Sequence, residues 1–437
     1  MSGSMKDGRQ ARTAVILGLV PHPRSVAVIR SLGRAGIDLV GFDHEEPTHR
    51  SRSRYLKAGA RHIEESPDAV LRALLEGAAE PGSVLIPTSD EYLLLLSRNH
   101  QRLSERYVVT CPPWPVLENV MNIVRCYDLA RACGIATPDY FQAKSARDLD
   151  AIVRSLDCAQ HDYIVRTMPG CGPANPHNNR FTRVAGTTRE SIRETCDEVH
   201  ARLGIFPTIV EVVPGEAGSC LGVSLVADRN SEPVVAYCVR RLRLYTYVRD
   251  MCRTGRGMSH PYELGSLVYC ESHHDPEAMD KAFALVKAAR YSGPITVEFR
   301  RNVVDGRLVL IKCDPRVVRA TSLSTALGLD VPQALVDAFT ATVPPAARTR
   351  YREGVGWLWI TQYAEAIWNN REDVAVRREL LRLFSVIWRV RAFAFLSLTD
   401  PLPFVTHLAW RVRQRLAMRR RVHRAGALPA ATAGNSG

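Results

Sequence analysis

Apolar and polar positions fall into short alternating blocks over the first hundred residues. Thr13–Val20 (TAVILGLV) is a continuous apolar, β-rich run that predicts a buried strand. A Pro/His/Arg loop follows, then Ser25–Ala35 with apolar residues at helical spacing, then Ile37–Phe42 (IDLVGF), a second strand ending at Asp43. Strand, helix and strand joined by short loops predict a parallel sheet. Val84–Pro87 (VLIP) and Tyr107–Thr110 (YVVT) predict two more strands around a helix over Asp90–Glu105. Residues 13–112 therefore read as one small α/β domain. No G-x-G-x-x-G follows the first strand, so a dinucleotide site there lacks its physical basis.

The pattern then changes. Residues 114–135 are helical up to Gly134, and Thr137-Pro138 opens an extended segment. Ser145–Leu156 reads as a helix, Tyr163–Arg166 (YIVR) as a strand, and Met168–Arg180 as a loop rich in Gly, Pro and Asn. Thr208–Val213, Leu221–Ala227 and Val234–Val239 alternate as strands, and Pro276–Tyr291 is a helix. Ile295–Arg300 and Arg307–Cys313 predict a hairpin around Val304-Asp305-Gly306, with short helices near Ser322–Leu327 and Val331–Phe339. Residues 342–352 have the composition of a linker. From about Gly354 the chain reads as all helix, and after Arg424 it is Ala/Gly/Pro-rich and expected to be disordered.

Composition narrows the class. In 437 residues, 46% are hydrophobic and 24% charged, the balance of a soluble globular protein of two to four domains. Eleven scattered cysteines with no C-x-x-C pair read as reduced thiols filling the core. Met1–Arg12 lacks the apolar stretch of a signal peptide, and no window is apolar enough to span a bilayer, so a cytoplasmic location is expected. The formal charge of +13 is uneven: from Pro401 onward there are seven arginines and no acidic residue.

The candidate chemistry centres on the last hairpin. Side chains alternate along a strand, so Lys312 and Asp314 share a face that Glu298 can meet from the neighbouring strand. On spacing alone, a surface salt-bridged hairpin competes with a functional site. The wider order of motifs resembles the ATP-grasp superfamily, specifically its carboxylate–amine ligases. It includes Ile86-Pro87-Thr88-Ser89-Asp90-Glu91, Gly134-Ile135-Ala136-Thr137-Pro138 and Ile164-Val165-Arg166. It continues through Val210-Glu211-Val212-Val213-Pro214-Gly215-Glu216, Arg240-Arg241-Leu242-Arg243 and Asp314-Pro315-Arg316.

The resemblance runs from about residue 13 to 340. It implies an α/β, Rossmann-like pre-ATP-grasp domain (13–112), then a two-lobed α+β ATP-grasp domain (113–341). The lid lobe would span about 138–213 and the catalytic lobe about 214–341. A helical extension (354–424) and a disordered tail (425–437) complete the chain. In this family a carboxylate attacks the γ-phosphate of ATP, and an amine displaces phosphate from the acyl phosphate. The resemblance implies ATP and Mg2+ as cofactors, one ion rather than two, and a small-molecule carboxylate and amine as partners. Glu211 and Val213 would bond adenine through their backbone, and Glu216 the ribose. Arg166 and Arg243 would face phosphates, Arg241, Lys312 and Arg316 the reacting groups, and Glu298 and Asp314 the metal. The loop 168–180, with Gly170, Gly172, Asn175 and Asn178, corresponds to a lid or is a long polar turn. His177 and His260 receive no role.

The departures matter. The family lysine seven residues before Ala130 is Ile123, with Arg125 turned to another helix face, and the second family lysine is Arg166. Lys312 replaces a metal-binding glutamate, and Asp314 an asparagine. Two readings stay open: an active ligase, or a degenerate ATP-grasp protein that binds a nucleotide or a partner. In the tail, Val405, Leu408, Val412 and Leu416 recur at helical spacing among arginines, with Trp410 and Met418 nearby. The helix either lies on an anionic membrane at the inner face or packs on the protein with its arginines solvated. Nucleic-acid binding is disfavoured, because the tail lacks interleaved aromatics.

Overall fold

The computed structural model describes residues 13–19, 22–44, 52–57, 59–63, 66–167, 182–184, 188–253, 259–342, 345–369 and 376–426. The apolar run at the start of the chain is a central strand, β1 (Thr13–Leu17), and it is apolar throughout because both faces are covered. Ala14 and Ile16 enter one core cluster, and Val15 and Leu17 another. Around it, β2 (Asp38–Asp43), β3 (Ala60–His62), β4 (Val84–Pro87) and β5 (Val108–Val109) complete a parallel sheet in the order β3-β2-β1-β4-β5.

A second sheet holds β6 (Tyr140–Gln142), β7 (Tyr163–Arg166), β8 (Thr182–Val184) and β9 (Thr208–Glu211) in the antiparallel order β6-β9-β7-β8. The helices Ala146–Ser155 and Arg189–Leu203 bury Leu149, Val153, Ile192 and Cys196 against it.

The third sheet is the largest. Its strands are β10 (Cys220–Ala227), β11 (Pro233–Arg253), β12 (Ser259–His273), β13 (Gly293–Arg301), β14 (Leu308–Asp314), β15 (Gly356–Leu358) and β16 (Val390–Phe393). They lie in the order β14-β13-β10-β11-β12-β15-β16. The expected hairpin around Val304-Asp305-Gly306 is β13–β14, and β11–β12 forms a much longer one that the sequence reading missed.

Several expectations change. The helix over 114–135 breaks at Asn122, whose side chain caps the following helix by accepting from Val124 N and Arg125 N. The segment after Gly354 is not all helix: β15 and β16 extend the large sheet beyond β12. The expected linker is docked, with Arg348 N donating to Val234 O (2.8 Å) and Ala236 N to Arg348 O (3.1 Å). The lid residues 168–180, including Gly170, Gly172, Asn175, His177 and Asn178, and the tail beyond residue 426 lie outside the described residues. Among the described residues no helix is long and apolar enough to cross a membrane.

Candidate functional site

The pairing register of β13 and β14 builds the site floor. Glu298 lies opposite Lys312 and Thr296 opposite Asp314, and a bulge at Ile311 shifts the register beyond Glu298. The next strand inward places Gly222 beside Glu298 and Ser224 beside Thr296, whose hydroxyls hydrogen-bond at 2.7 Å. Gly222 contributes no side chain, so the row Lys312–Glu298–Gly222–Val239 stays open above the sheet. The resulting cleft has a volume of about 340 Å3.

Five of the residues proposed from sequence meet there: Arg241, Glu298, Lys312, Asp314 and Arg316 all line the cleft. They form a chain of opposite charges. Arg241 Nη2 pairs with Glu298 Oε1. Lys312 Nζ sits 3.6 Å from Glu298 and 3.1 Å from Asp314. Arg316 Nη2 lies 3.9 Å from Asp314, while its Nε reaches back 2.5 Å to Asp90 of the N-terminal domain. Glu298 and Asp314 are buried, 5% and 7% exposed, which is unlike a solvated surface hairpin. Burial works against the charged form of Arg241, but Glu298 beside it outweighs this and raises its pKa above the ordinary arginine value.

The other proposed residues lie elsewhere. Arg166 donates to the carbonyl of Ile311 at the bulge (2.9 Å) and lies 3.4 Å from Tyr127 Oη, joining the second sheet to the third. Arg243 does not line the cleft. Bulges on either side of it in β11 turn it toward the buried Glu379 of the helix Val376–Val386, 2.6 Å away. Arg243, expected at the phosphates, here pairs with the C-terminal extension. Glu211, Val213 and Glu216 occupy the crossing from β9 to β10, between the two sheets. The Glu211 carboxylate pairs with His161 at 2.8 Å. Arg300 Nη1 donates to Val213 O at 2.9 Å, and Glu216 is exposed. Ile123 opens its helix, and Arg125 pairs with Glu118 at 3.0 Å.

Sequence reasoning missed His22, Arg24 and Arg319. The loop after β1 is fixed by Asp43, whose Oδ2 accepts from Leu19 N at 2.6 Å. His22 then occupies the N-cap position of the helix Pro23–Arg34, without a side-chain capping bond, and Pro23 sits in its first turn. This puts Arg24 at the cleft, opposite Arg319 in the loop after β14. Arg24 Nε donates to Nδ1 of His22 at 2.8 Å, and its Nη1 is buried without a hydrogen-bond partner. Arg319 lies over the Trp359 ring, 5.4 Å from its centroid. Burial and then Arg316 lower the pKa of both, Arg24 well below its ordinary value and Arg319 to about 10. One signal was readable: a Pro-His-Pro-Arg loop at the carboxyl end of a parallel strand, the edge where α/β sheets bind ligands.

No family model matches the sequence, and no curated protein matches it. Its fold does match solved structures. The biotin carboxylase domain of Hydrogenobacter thermophilus 2-oxoglutarate carboxylase, in complex with MgADP, ADP and bicarbonate, aligns at TM-score 0.57 and 15% identity, over 80% of this chain and 74% of that one. N5-carboxyaminoimidazole synthetase from Staphylococcus aureus, complexed with ADP, aligns at 0.52 and 14%, over 79% and 82%. Phosphoribosylamine–glycine ligase from Thermotoga maritima aligns at 0.50 and 14%, over 77% and 78%. All three are ATP-grasp enzymes, and the chain has the ATP-grasp fold.

Proposed function

We propose that the chain is an ATP-dependent ligase that joins a small-molecule carboxylate to an amine through an acyl phosphate. The observation that carries this reading is the convergence of Arg241, Lys312 and Arg316 on one open cleft of an ATP-grasp fold. Phosphoryl transfer asks the protein mainly to position reactants and neutralise charge. A carboxylate oxygen attacks the γ-phosphorus, the bond to the β–γ bridging oxygen breaks, and ADP leaves with the electron pair. The amine nitrogen then attacks the acyl carbon, phosphate departs with the C–O pair, and the amine releases a proton to solvent. In this reading Arg316 orients the attacking carboxylate, while Arg241 and Lys312 neutralise the transferred phosphoryl group. Val213 and the Glu211 carbonyl would meet adenine, Glu216 the ribose, and Arg166 the phosphates if it leaves Ile311.

A divalent ion held between Glu298 and Asp314 does not fit these residues. Both carboxylates already face Lys312, Glu298 also faces Arg241, and these four groups carry no net charge. An ion bonded to those oxygens would stand beside an ammonium and a guanidinium. Among the described residues, no group of three or more His, Cys, Asp or Glu is placed to hold a metal. Lys312 instead supplies fixed positive charge at that position. The same feature favours the second reading, a nucleotide-binding protein without turnover.

ADP release from ATP, measured over a panel of carboxylates with and without amines, separates the two readings. The ligase reading expects release that requires both co-substrates and is lost in Arg316→Met. ATP binding with no release from any pair would leave the nucleotide-binding reading in its place.

A further inference from the structure

Five cationic side chains line the cleft, Arg24, Arg241, Lys312, Arg316 and Arg319. Three carboxylates answer them: Glu298, Asp314, and Asp90 behind Arg316. Two positive charges are left over among the described residues, and they belong to Arg24 and Arg319. Neither has a carboxylate partner within ion-pair distance among the described residues. Arginine stays protonated at neutral pH, and half-buried like charges that repel one another are costly unless an anion joins them.

We propose that Arg24 and Arg319 form a second anion subsite, which binds a phosphate or carboxylate group of the substrate that does not react. This rests on the ligase reading and adds that the substrate is at least doubly anionic. The planar guanidinium of Arg24, with Nη1 unpartnered, suits two oxygens of one oxyanion. His22 holds Arg24 from behind, and Trp359 backs both Arg319 (5.4 Å from its ring centroid) and His22 (6.3 Å between ring centroids).

The test is a melting curve of the full chain with inorganic phosphate alone, succinate alone and ATP alone. Phosphate or succinate should raise the melting temperature of the wild type, and whichever acts at lower concentration identifies the group. Arg24→Met and Arg319→Met should abolish that rise yet keep the ATP-induced rise. Both variants should melt no lower than wild type without ligand, since each removes a repelled charge; a purely structural arginine would lower it. Equal phosphate and succinate responses in wild type and both variants, or none in wild type, overturn the subsite. Loss of the ATP response alone overturns the ligase reading and leaves the subsite standing.

The C-terminal helix Leu402–Gly426 carries a second, independent observation. It packs inward through His407, which stacks on Phe395 (4.2 Å between centroids), and through Arg411, paired with Glu365. Leu402, Val405, Leu408, Val412 and Leu416 follow one stripe of the helix, and all five are 45–55% exposed. The inward face carries Phe404, His407 and Arg411, while this apolar ridge faces out. Phe384 (66% exposed) and Trp388 (67%) add aromatic surface in the same extension. Residues 376–426 contain twelve arginines and two acidic residues. Both acids, Glu379 and Asp400, are buried in ion pairs, so every exposed charged side chain described there is positive.

The geometry points to an anionic lipid surface as the occupant, with the ridge lying in the interface at the cytoplasmic face of a membrane. The full chain is mixed with vesicles of phosphatidylcholine alone or with phosphatidylglycerol, and sedimented. It should bind the anionic vesicles, less so at high salt, and Leu408→Ser/Val412→Ser/Leu416→Ser should bind at least about tenfold more weakly. The exposed positions predict an unchanged melting temperature for this variant. No binding by wild type, or equal binding by the variant, overturns the proposal. So does a wild-type dimer that ignores vesicles and that the ridge variant turns into a monomer, for then a second copy covers the ridge.

Discussion

Replacing Lys312 tests the charge logic of the cleft. Its ammonium lies 3.1 Å from Asp314 and 3.6 Å from Glu298. At an effective dielectric constant of about 20, each contact is worth about 5 kcal/mol of Coulomb energy before desolvation. Desolvation offsets much of that, and breaking a buried pair by removing one partner costs about 3–5 kcal/mol. Lys312 is 29% exposed and Arg241 still pairs with Glu298, so Lys312→Met should sit at the low end, about 3 kcal/mol. Lys312→Glu goes further, bringing three carboxylates together, a set that suits a hard divalent cation. Urea unfolding at neutral pH, with and without MgCl2, reads both effects. We expect Mg2+ to leave wild type unmoved, to do little for Lys312→Met, and to restore much of the stability lost by Lys312→Glu. The reasoning fails if Lys312→Met unfolds within about 1 kcal/mol of wild type, or if Mg2+ stabilises wild type as much as Lys312→Glu.

Three other outcomes follow from the same contacts. Burial, then Arg24, Arg319 and Arg316, hold His22 well below its ordinary pKa, so the unfolded chain takes up a proton below about pH 6.5 that the folded chain refuses. Stability from this group is present above that pH and falls on acidification by about 1.4 kcal/mol per unit, so His22→Asn should flatten the acid side of a melting-temperature profile. Burial raises the pKa of Glu211 despite His161, so the folded state keeps a proton that the unfolded state releases, and this contribution is lost as pH rises through the raised value. Glu211→Gln should remove that decline while ATP binding, measured by calorimetry, stays unchanged, because the proposed adenine contact is a backbone carbonyl. Arg243→Met should destabilise by less than about 3 kcal/mol in urea, because Arg382 still pairs with the buried Glu379 at 3.0 Å, and leave ATP affinity intact; a large loss of affinity would return Arg243 to the nucleotide site.

What the sequence revealed depended on local pattern. The β13–β14 hairpin was readable because period-two alternation flanks Val304-Asp305-Gly306, and that alternation already put Lys312 and Asp314 on one face. Arg24 was not readable as a partner of Arg319, because nearly 300 residues separate them and no motif links a helix cap to a loop on another domain. Arg243 looked equivalent to Arg241 by spacing, and only the bulges in β11 send them to different neighbours. The short strands β15 and β16 were hidden inside helical composition, since three or four residues carry too little periodicity to register. The helix 402–426 showed its apolar stripe in sequence, but a stripe does not say whether it faces inward or outward.

Asp400 has a consequence for how the chain is made. It is 1% exposed and accepts from Arg30 Nε (2.9 Å), Ser53 Oγ (2.9 Å) and Arg54 N (3.0 Å), three groups of the first domain. Arg30 and Asp400 are 370 positions apart. At a translation rate of about 5–20 residues per second, Asp400 is made about 20–70 s after Arg30. Until then Arg30 lacks its carboxylate partner. Closure of this contact therefore waits for a segment made 370 positions after Arg30.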